Sequence, residues 1–350
     1  MALKDENGGV SWQHWPEELR MRNEQALCSA RERLQSSIRF YQFVQQLFSE
    51  QWKSLKAYAN ERGVRILGDL PIYVPLDSAD VWSAPDEFQL DETRRPVRVA
   101  GVPPDYFTAD GQLWGNPLYH WEHMKQNGYD WWKRRMRAAA ARFDSVRFDH
   151  FRGLSSYWSV DAYAQTARGG EWLPGPGTEF VNVIKEAVPS LEIVAEDLGY
   201  LTDDVRALLA DSGFPGMKVL EFAFDAREPS DYLPHTYSRH CVCYAGTHDN
   251  TTVAGWFSEA APEDADFAAT YLGLNEKEGY VWGFLRGGMG SVADLFIAQA
   301  QDYLGLGPEF RMNTPGTLGG GNWRWRLLPG EFTGDLADKI GGLTRIYGRG

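Results

Sequence analysis

Ser145-Val146-Arg147-Phe148-Asp149-His150-Phe151-Arg152-Gly153 is the stretch on which the fold turns. A short apolar strand, Ser145 to Asp149, ends in a carboxylate. Arg147 stands two residues earlier, on the same side of the pleat, where it would hold that carboxylate ionised and oriented. Read alone, the pair is equally a structural ion pair. Acid-bearing strands recur on either side. Upstream, the run from Val64 to Val74 carries Asp69. Downstream, Glu192 to Glu196 ends in Ile193-Val194-Ala195-Glu196-Asp197-Leu198-Gly199, and Cys241 to Gly246 leads into Thr247-His248-Asp249-Asn250. Met217 to Phe224 reads as a further strand. Helical spacing covers Ser36 to Arg62, Tyr129 to Arg142, Thr178 to Ala187 and Ser291 to Leu304. Thr202 is placed to cap another helix, with Asp203 and Asp204 in its first turn. Asn322 to Leu327 reads as a final strand. Apolar strands alternating with helices argue for a parallel sheet with covered faces. Acids at the C-terminal ends of four strands fit a ring better than a crevice, and strand C-termini are where barrels keep their chemistry.

Composition narrows the function classes. The 350 residues are 43% hydrophobic and 24% charged, the balance of an ordinary globular chain. A net charge of −13 repels phosphate and disfavours nucleic acid or an anionic membrane as partner. No run of 18 apolar residues offers a membrane span. Met1 to Arg20 has no apolar signal core and reads as loop that needs something before it, with Trp12 and Trp15 as interior packing residues. A cytoplasmic setting is expected, or a plastid if an upstream transit peptide was lost. Cys28, Cys241 and Cys243 make no disulfide framework and are expected to pack as free thiols. None of the seven histidines sits in a zinc-binding spacing, and His120/His123 read as a solvated face. No cofactor and no metal are implied. Gly319-Gly320-Gly321 lacks the strand and helix of a phosphate loop. Residues 75–122 read as a long Pro-, Asp- and Gly-rich loop, which in a compact domain is usually functional. The 14 Trp, 16 Tyr and 18 Phe supply flat faces that fill cores or stack on sugar rings.

Three acids on three strand ends would converge on one pocket. Glycoside cleavage needs a nucleophilic carboxylate, a proton donor with a raised pKa and groups that hold sugar hydroxyls. Asp149 fits the nucleophile and Glu196 the acid/base. Asp249 would hold ring hydroxyls, with His248 beside it. Asp197 is equally a residue that caps the following turn, and a lone His-Asp pair is weak by itself.

The chain resembles the 4-α-glucanotransferases, or amylomaltases, of glycoside hydrolase family 77 in the α-amylase clan. The strings that carry the resemblance are Gly-Asp-Leu-Pro-Ile-Tyr-Val (68–74), Asp-Ser-Ala-Asp-Val-Trp (77–82), Gly-Val-Pro-Pro-Asp-Tyr-Phe (101–107) and Gly-Gln-Leu-Trp-Gly-Asn-Pro (111–117). Arg-Phe-Asp-His-Phe-Arg-Gly (147–153), Ala-Glu-Asp-Leu-Gly (195–199), Gly-Met-Lys-Val-Leu (216–220), Gly-Thr-His-Asp-Asn (246–250) and Gly-Asn-Trp-Arg-Trp-Arg (321–326) complete them. The resemblance implies an α/β fold, a TIM (β/α)8-type barrel with inserted subdomains, forming one catalytic domain over 1–350 with a groove-forming insertion near 75–122. It implies that the first one or two barrel strands, and a sugar-binding loop that family members carry there, are missing before Asp69. It implies retaining transfer between α-1,4-glucans, with Asp149 as nucleophile, Glu196 as general acid/base and Asp249 as transition-state stabiliser. Arg147 and His248 resemble their hydrogen-bonding neighbours, and Asp69 a structural acid near the donor sugar. Trp114, Asn116 and Asn322 resemble glucan-groove residues. Trp323 and Trp325 are expected to pack, and Tyr106 and Phe107 fit either role. An α-glucan hydrolase of the same clan and an inert glucan-binding fragment are the rival readings.

Overall fold

The computed structural model describes residues 1–104, 108–199, 201–317 and 319–349 and divides into two units, Met1–Phe214 and Pro215–Gly350. In the first unit, β1 (Leu67–Leu70), β4 (Ser145–Phe148) and β7 (Glu192–Ala195) form a parallel sheet in the order β1-β4-β7. Its register sets Asp69 opposite Arg147 and Arg147 opposite Val194. A second, antiparallel sheet runs β3-β2-β5-β6, from β2 (Arg98–Val102), β3 (Gln112–Pro117), β5 (Ser156–Asp161) and β6 (Glu171–Pro174). In the second unit, β8 (Gly216–Val219), β9 (Cys241–Tyr244) and β10 (Leu295–Ile297) make another parallel sheet, ordered β10-β9-β8. Each unit therefore carries three parallel strands of the α/β kind.

Three of the four helices placed by apolar spacing lie where expected. The long helix Gln35–Asn60 matches its expected span, and so do Asp130–Arg142 and Gly177–Ala187. Helix Asp130–Arg142 buries Trp131, Trp132, Met136 and Ala139. Trp132 stacks on Phe148 of β4 at 5.6 Å and meets Phe180 edge-on at 5.2 Å, which builds the core beneath the acid-bearing strand ends. In the second unit the core gathers on Phe224 and Phe284.

Several expectations are corrected. Residues 291–304 are not one helix: β10 occupies Leu295–Ile297, and only Ala300–Tyr303 is helical. The apolar run there is too short for periodicity to separate strand from helix, and parallel pairing with β9 decides it. Residues 322–327 form no strand, because Gly319, Gly320, Gly321 and Trp323 all have left-handed φ. The 64–74 strand is only four residues long and stops before Pro71, which has no N–H to donate. The 217–224 strand stops at Val219 and tightens into a 3-10 turn. The 75–122 loop contains a short helix, Ala79–Ser83, and strands β2 and β3. Met1–Arg20 is not loop but holds short helical turns, although Trp12 and Trp15 are buried as expected. Thr202 sits at its helix start without a side-chain capping bond. Cys28 is exposed, while Cys241 and Cys243 are buried, and none of the three is in a disulfide. No helix among the described residues is long and apolar enough to cross a membrane.

Candidate active site

In the first unit, the strand ends of β1, β4 and β7 bring four of the expected residues together. Arg147 points one guanidinium nitrogen at Asp69 (2.7 Å) and the other at Asp149 (2.9 Å). It is nearly buried, and although burial would lower its pKa, Asp149, Asp69 and Glu196 raise it. A buried guanidinium held by carboxylates is a fixed fork that leaves its partners little freedom.

Glu196 follows β7 directly and is buried. Its Oε2 accepts from the His150 backbone N–H at 2.7 Å, and its Oε1 from the Leu198 N–H at 2.9 Å. Burial pushes its carboxyl up to about 7; Arg147 opposes this, the Asp149 charge adds to it, and the two backbone N–H bonds oppose it. The site therefore holds two carboxylates ion-paired to a buried arginine beside a carboxyl pushed up to about 7. Groups driven apart in this way are the mark of acid/base division of labour.

Sequence reasoning did not single out His150. Its backbone is left-handed, with φ 50°, and this turns its N–H toward Glu196. Burial, with the Arg152 cation adding, pushes its imidazole down to about 3, so it is neutral at working pH. Nothing in the sequence signals the left-handed turn, since a histidine after a strand end has many conformations open to it.

The insertion reaches this site through one irregular stretch. Between the pairs Val99–Pro117 and Gly101–Leu113 the β2–β3 register shifts, and Trp114, Gly115 and Asn116 fall within the bulge. A bulge re-aims side chains. Trp114 is 37% exposed, and its ring meets His150 edge-on at 4.9 Å and Tyr73 at 6.3 Å. Its Nε1 donates to Gln112 Oε1 at 3.1 Å. Asn116 is half-buried in the same bulge. Tyr106 and Phe107 lie outside the described residues.

Asp249, His248 and Asn322 belong to the second unit. Asp249 Oδ1 accepts from Asn313 Nδ2 at 2.6 Å, and Oδ2 lies 3.5 Å from His248 Nε2. Arg311 donates to the Asp249 carbonyl, and Asn313 N–H to the His248 carbonyl at 3.1 Å. Arg311 and Asn313 were not foreseen, because no strand end or motif marks them. Asn322 accepts from Thr314 N–H and donates to the Thr317 carbonyl and hydroxyl, so its side chain staples its own loop. Trp323 does not pack inside: it is 60% exposed, with its ring 5.0 Å from that of His248. His120 is exposed but accepts from the His123 N–H, capping helix Trp121–Gln126.

Comparison with known proteins agrees with these motifs. The profile of the family described as 4-alpha-glucanotransferase, glycoside hydrolase family 77, matches residues 1–331. The 4-alpha-glucanotransferase of Clostridium butyricum is 46% identical over 351 aligned residues, covering 100% of this chain and 72% of that protein. The chloroplastic/amyloplastic 4-alpha-glucanotransferase of Solanum tuberosum is 40% identical, covering 99% of this chain and 61% of its own length. Among solved structures, amylomaltase from Streptococcus agalactiae in complex with acarbose superposes with a TM-score of 0.96 at 41% identity, covering 100% of this chain and 71% of that one.

Proposed function

The chain belongs to the 4-alpha-glucanotransferase family, glycoside hydrolase family 77, and from that membership we propose that it moves a segment of an α-1,4-glucan to another glucan or to glucose through a covalent glucosyl-enzyme on Asp149. The observation that carries this is the buried Arg147 joining Asp69 and Asp149 beside a Glu196 whose carboxyl is pushed up to about 7. Glu196 gives its proton to the glycosidic oxygen as Asp149 attacks the anomeric carbon, and the reducing-end piece departs with that proton. Glu196, now a carboxylate, takes a proton from the hydroxyl of the incoming sugar, which attacks the anomeric carbon and frees Asp149. Two inversions retain the α configuration. Arg147 and Asp69 keep the nucleophile in place, and the two backbone N–H groups hold Glu196 in line.

Trp114 offers a sugar-stacking face next to His150, with Asn116 beside it as a hydroxyl ligand. Asp249, ordered by Asn313 and flanked by His248, takes the role of transition-state stabiliser that the resemblance gives it. Asn322 contributes by shaping the loop around it, with Trp323 as a further exposed ring. Maltooligosaccharides and fragments of starch or glycogen are the substrates, and the setting is the cytoplasm or a plastid. The acceptor is a sugar rather than water.

Asp149→Asn tests the nucleophile. Transfer from maltotriose should fall by about three orders of magnitude or more, as for loss of a covalent nucleophile. Thermal unfolding should stay within a few degrees of the parent. Parental rates in the variant would overturn the assignment.

A further inference from the structure

The first unit holds a cavity of about 950 Å³, and neither Asp149 nor Glu196 lines it. Its walls include the buried Trp12, Trp15 and Ala30, with Leu27, Leu34 and Ile38. Trp82 joins them and meets Trp15 edge-on at 5.5 Å. A cavity of this size, apolar with a few polar groups at fixed places, has the form that small-molecule sites take.

Two cations decide what it suits. Arg22 lines the cavity with its guanidinium 4.7 Å from the centre of the Trp82 ring, and it donates to the Trp82 carbonyl at 3.4 Å. Its backbone is left-handed, with φ 60°, which strains a residue that has a Cβ. Arg31 also lines the cavity and is exposed. Among the described residues, neither arginine has a carboxylate within ion-pair distance, because the acids around them are taken. Asp77, on the same lining, is paired with Lys4 and accepts from the Trp12 N–H at 3.3 Å. Asp5 accepts from the Tyr41 hydroxyl, and Glu6 holds Arg33 at 2.7 Å. Burial, with the Arg31 and Arg94 charges adding, lowers the Arg22 pKa, the sign of a partly buried cation among like charges.

In a chain of net charge −13, two uncompensated cations on an apolar cavity make a selective spot. A neutral sugar or a purely apolar molecule would cover the guanidinium groups without giving them an anion. We propose that this cavity binds a small amphiphilic anion, its apolar body against the tryptophans and its carboxylate, sulfonate or phosphate group on Arg22 and Arg31. A guanidinium fork matches such a group, and the Trp82 face below Arg22 keeps the fork oriented.

Probe fluorescence on the purified chain tests this without turnover. Anilinonaphthalene sulfonate should bind saturably at one site, and its uncharged analogue N-phenylnaphthylamine about tenfold more weakly. Arg31→Glu and Arg22→Gln should each weaken the sulfonate about tenfold or more and leave the uncharged analogue within about twofold. Phe43→Gln should change neither, since Phe43 is exposed on the same helix as Ile38 but lies outside the cavity lining. Equal affinity for the two probes, sulfonate binding that ignores both arginine variants, or loss of binding in Phe43→Gln would each overturn the proposal. A chain that dimerises at these concentrations and excludes the probe would assign the cavity to a second copy and overturn it too. Should Arg22→Gln fail to fold, the exposed Arg31→Glu decides between the same outcomes.

Discussion

At the scale of residues, chemistry rests on how one buried cation divides its neighbours. Arg147 takes Asp69 and Asp149 into ion pairs, and Glu196, buried between backbone donors, is pushed up to about 7. Two pH effects follow. Glu196 acts first as an acid, so kcat/KM should fall as pH rises through about 7. A pH–rate profile with no alkaline limb near neutrality would contradict this. Stability moves the same way for a different reason. The folded carboxyl keeps its proton up to about 7, while the unfolded one releases it near the ordinary 4.5. The native state therefore holds more protons between those values, and the Glu196 contribution to stability is present below the lower value and lost as pH rises to the upper one. Denaturant titrations across that window should show a shallower fall with pH in Glu196→Gln than in the parent. Trp114 makes a separate prediction. Its exposed ring rests against His150 without filling the core, so Trp114→Ala should raise KM for maltooligosaccharides about tenfold or more, as loss of a base-like stacking face does elsewhere. The melting temperature should move little. An unchanged KM would remove Trp114 from the groove.

At the scale of elements, what could be read from the chain and what could not separate along a physical line. The helices Gln35–Asn60, Asp130–Arg142 and Gly177–Ala187 were legible because an apolar stripe repeats over three or more turns. The strand ends carrying Asp149 and Glu196 were legible because an apolar run stops abruptly at charge. β10 was not legible: its identity depends on pairing with β9, a contact about fifty residues away in sequence. The β2–β3 bulge that aims Trp114 was equally hidden, since local sequence states the glycines but not the partner register. His150, Asn313 and Arg311 were missed because their roles are made by backbone turns and cross-loop bonds. Gly68 in β1 gives the element-scale prediction. A Cβ at Gly68 would lie 2.3 Å from the Phe143 ring, which also receives Trp52 of the long helix edge-on at 5.9 Å. Gly68→Ala should therefore cost about 1–3 kcal/mol by overpacking, read as a lower denaturation midpoint with an unchanged denaturant slope. A neutral result would mean that ring and helix can shift freely.

At the scale of the whole molecule, two units each supply a three-stranded parallel sheet; Asp69 lies within β1, Asp149 and Glu196 directly follow β4 and β7, and Asp249 lies in the loop after β9. The long helix Gln35–Asn60 leaves Phe40, Phe43, Val44, Leu47 and Phe48 exposed. Transfer between α-1,4-glucans is read most simply with maltotriose. The purified chain is incubated with maltotriose and the products are separated by length. A ladder of shorter and longer α-glucans together with glucose is expected, and it should be lost in Asp149→Asn. Folded, soluble protein that yields no ladder, or that yields only glucose and maltose with nothing longer than the substrate, would contradict it.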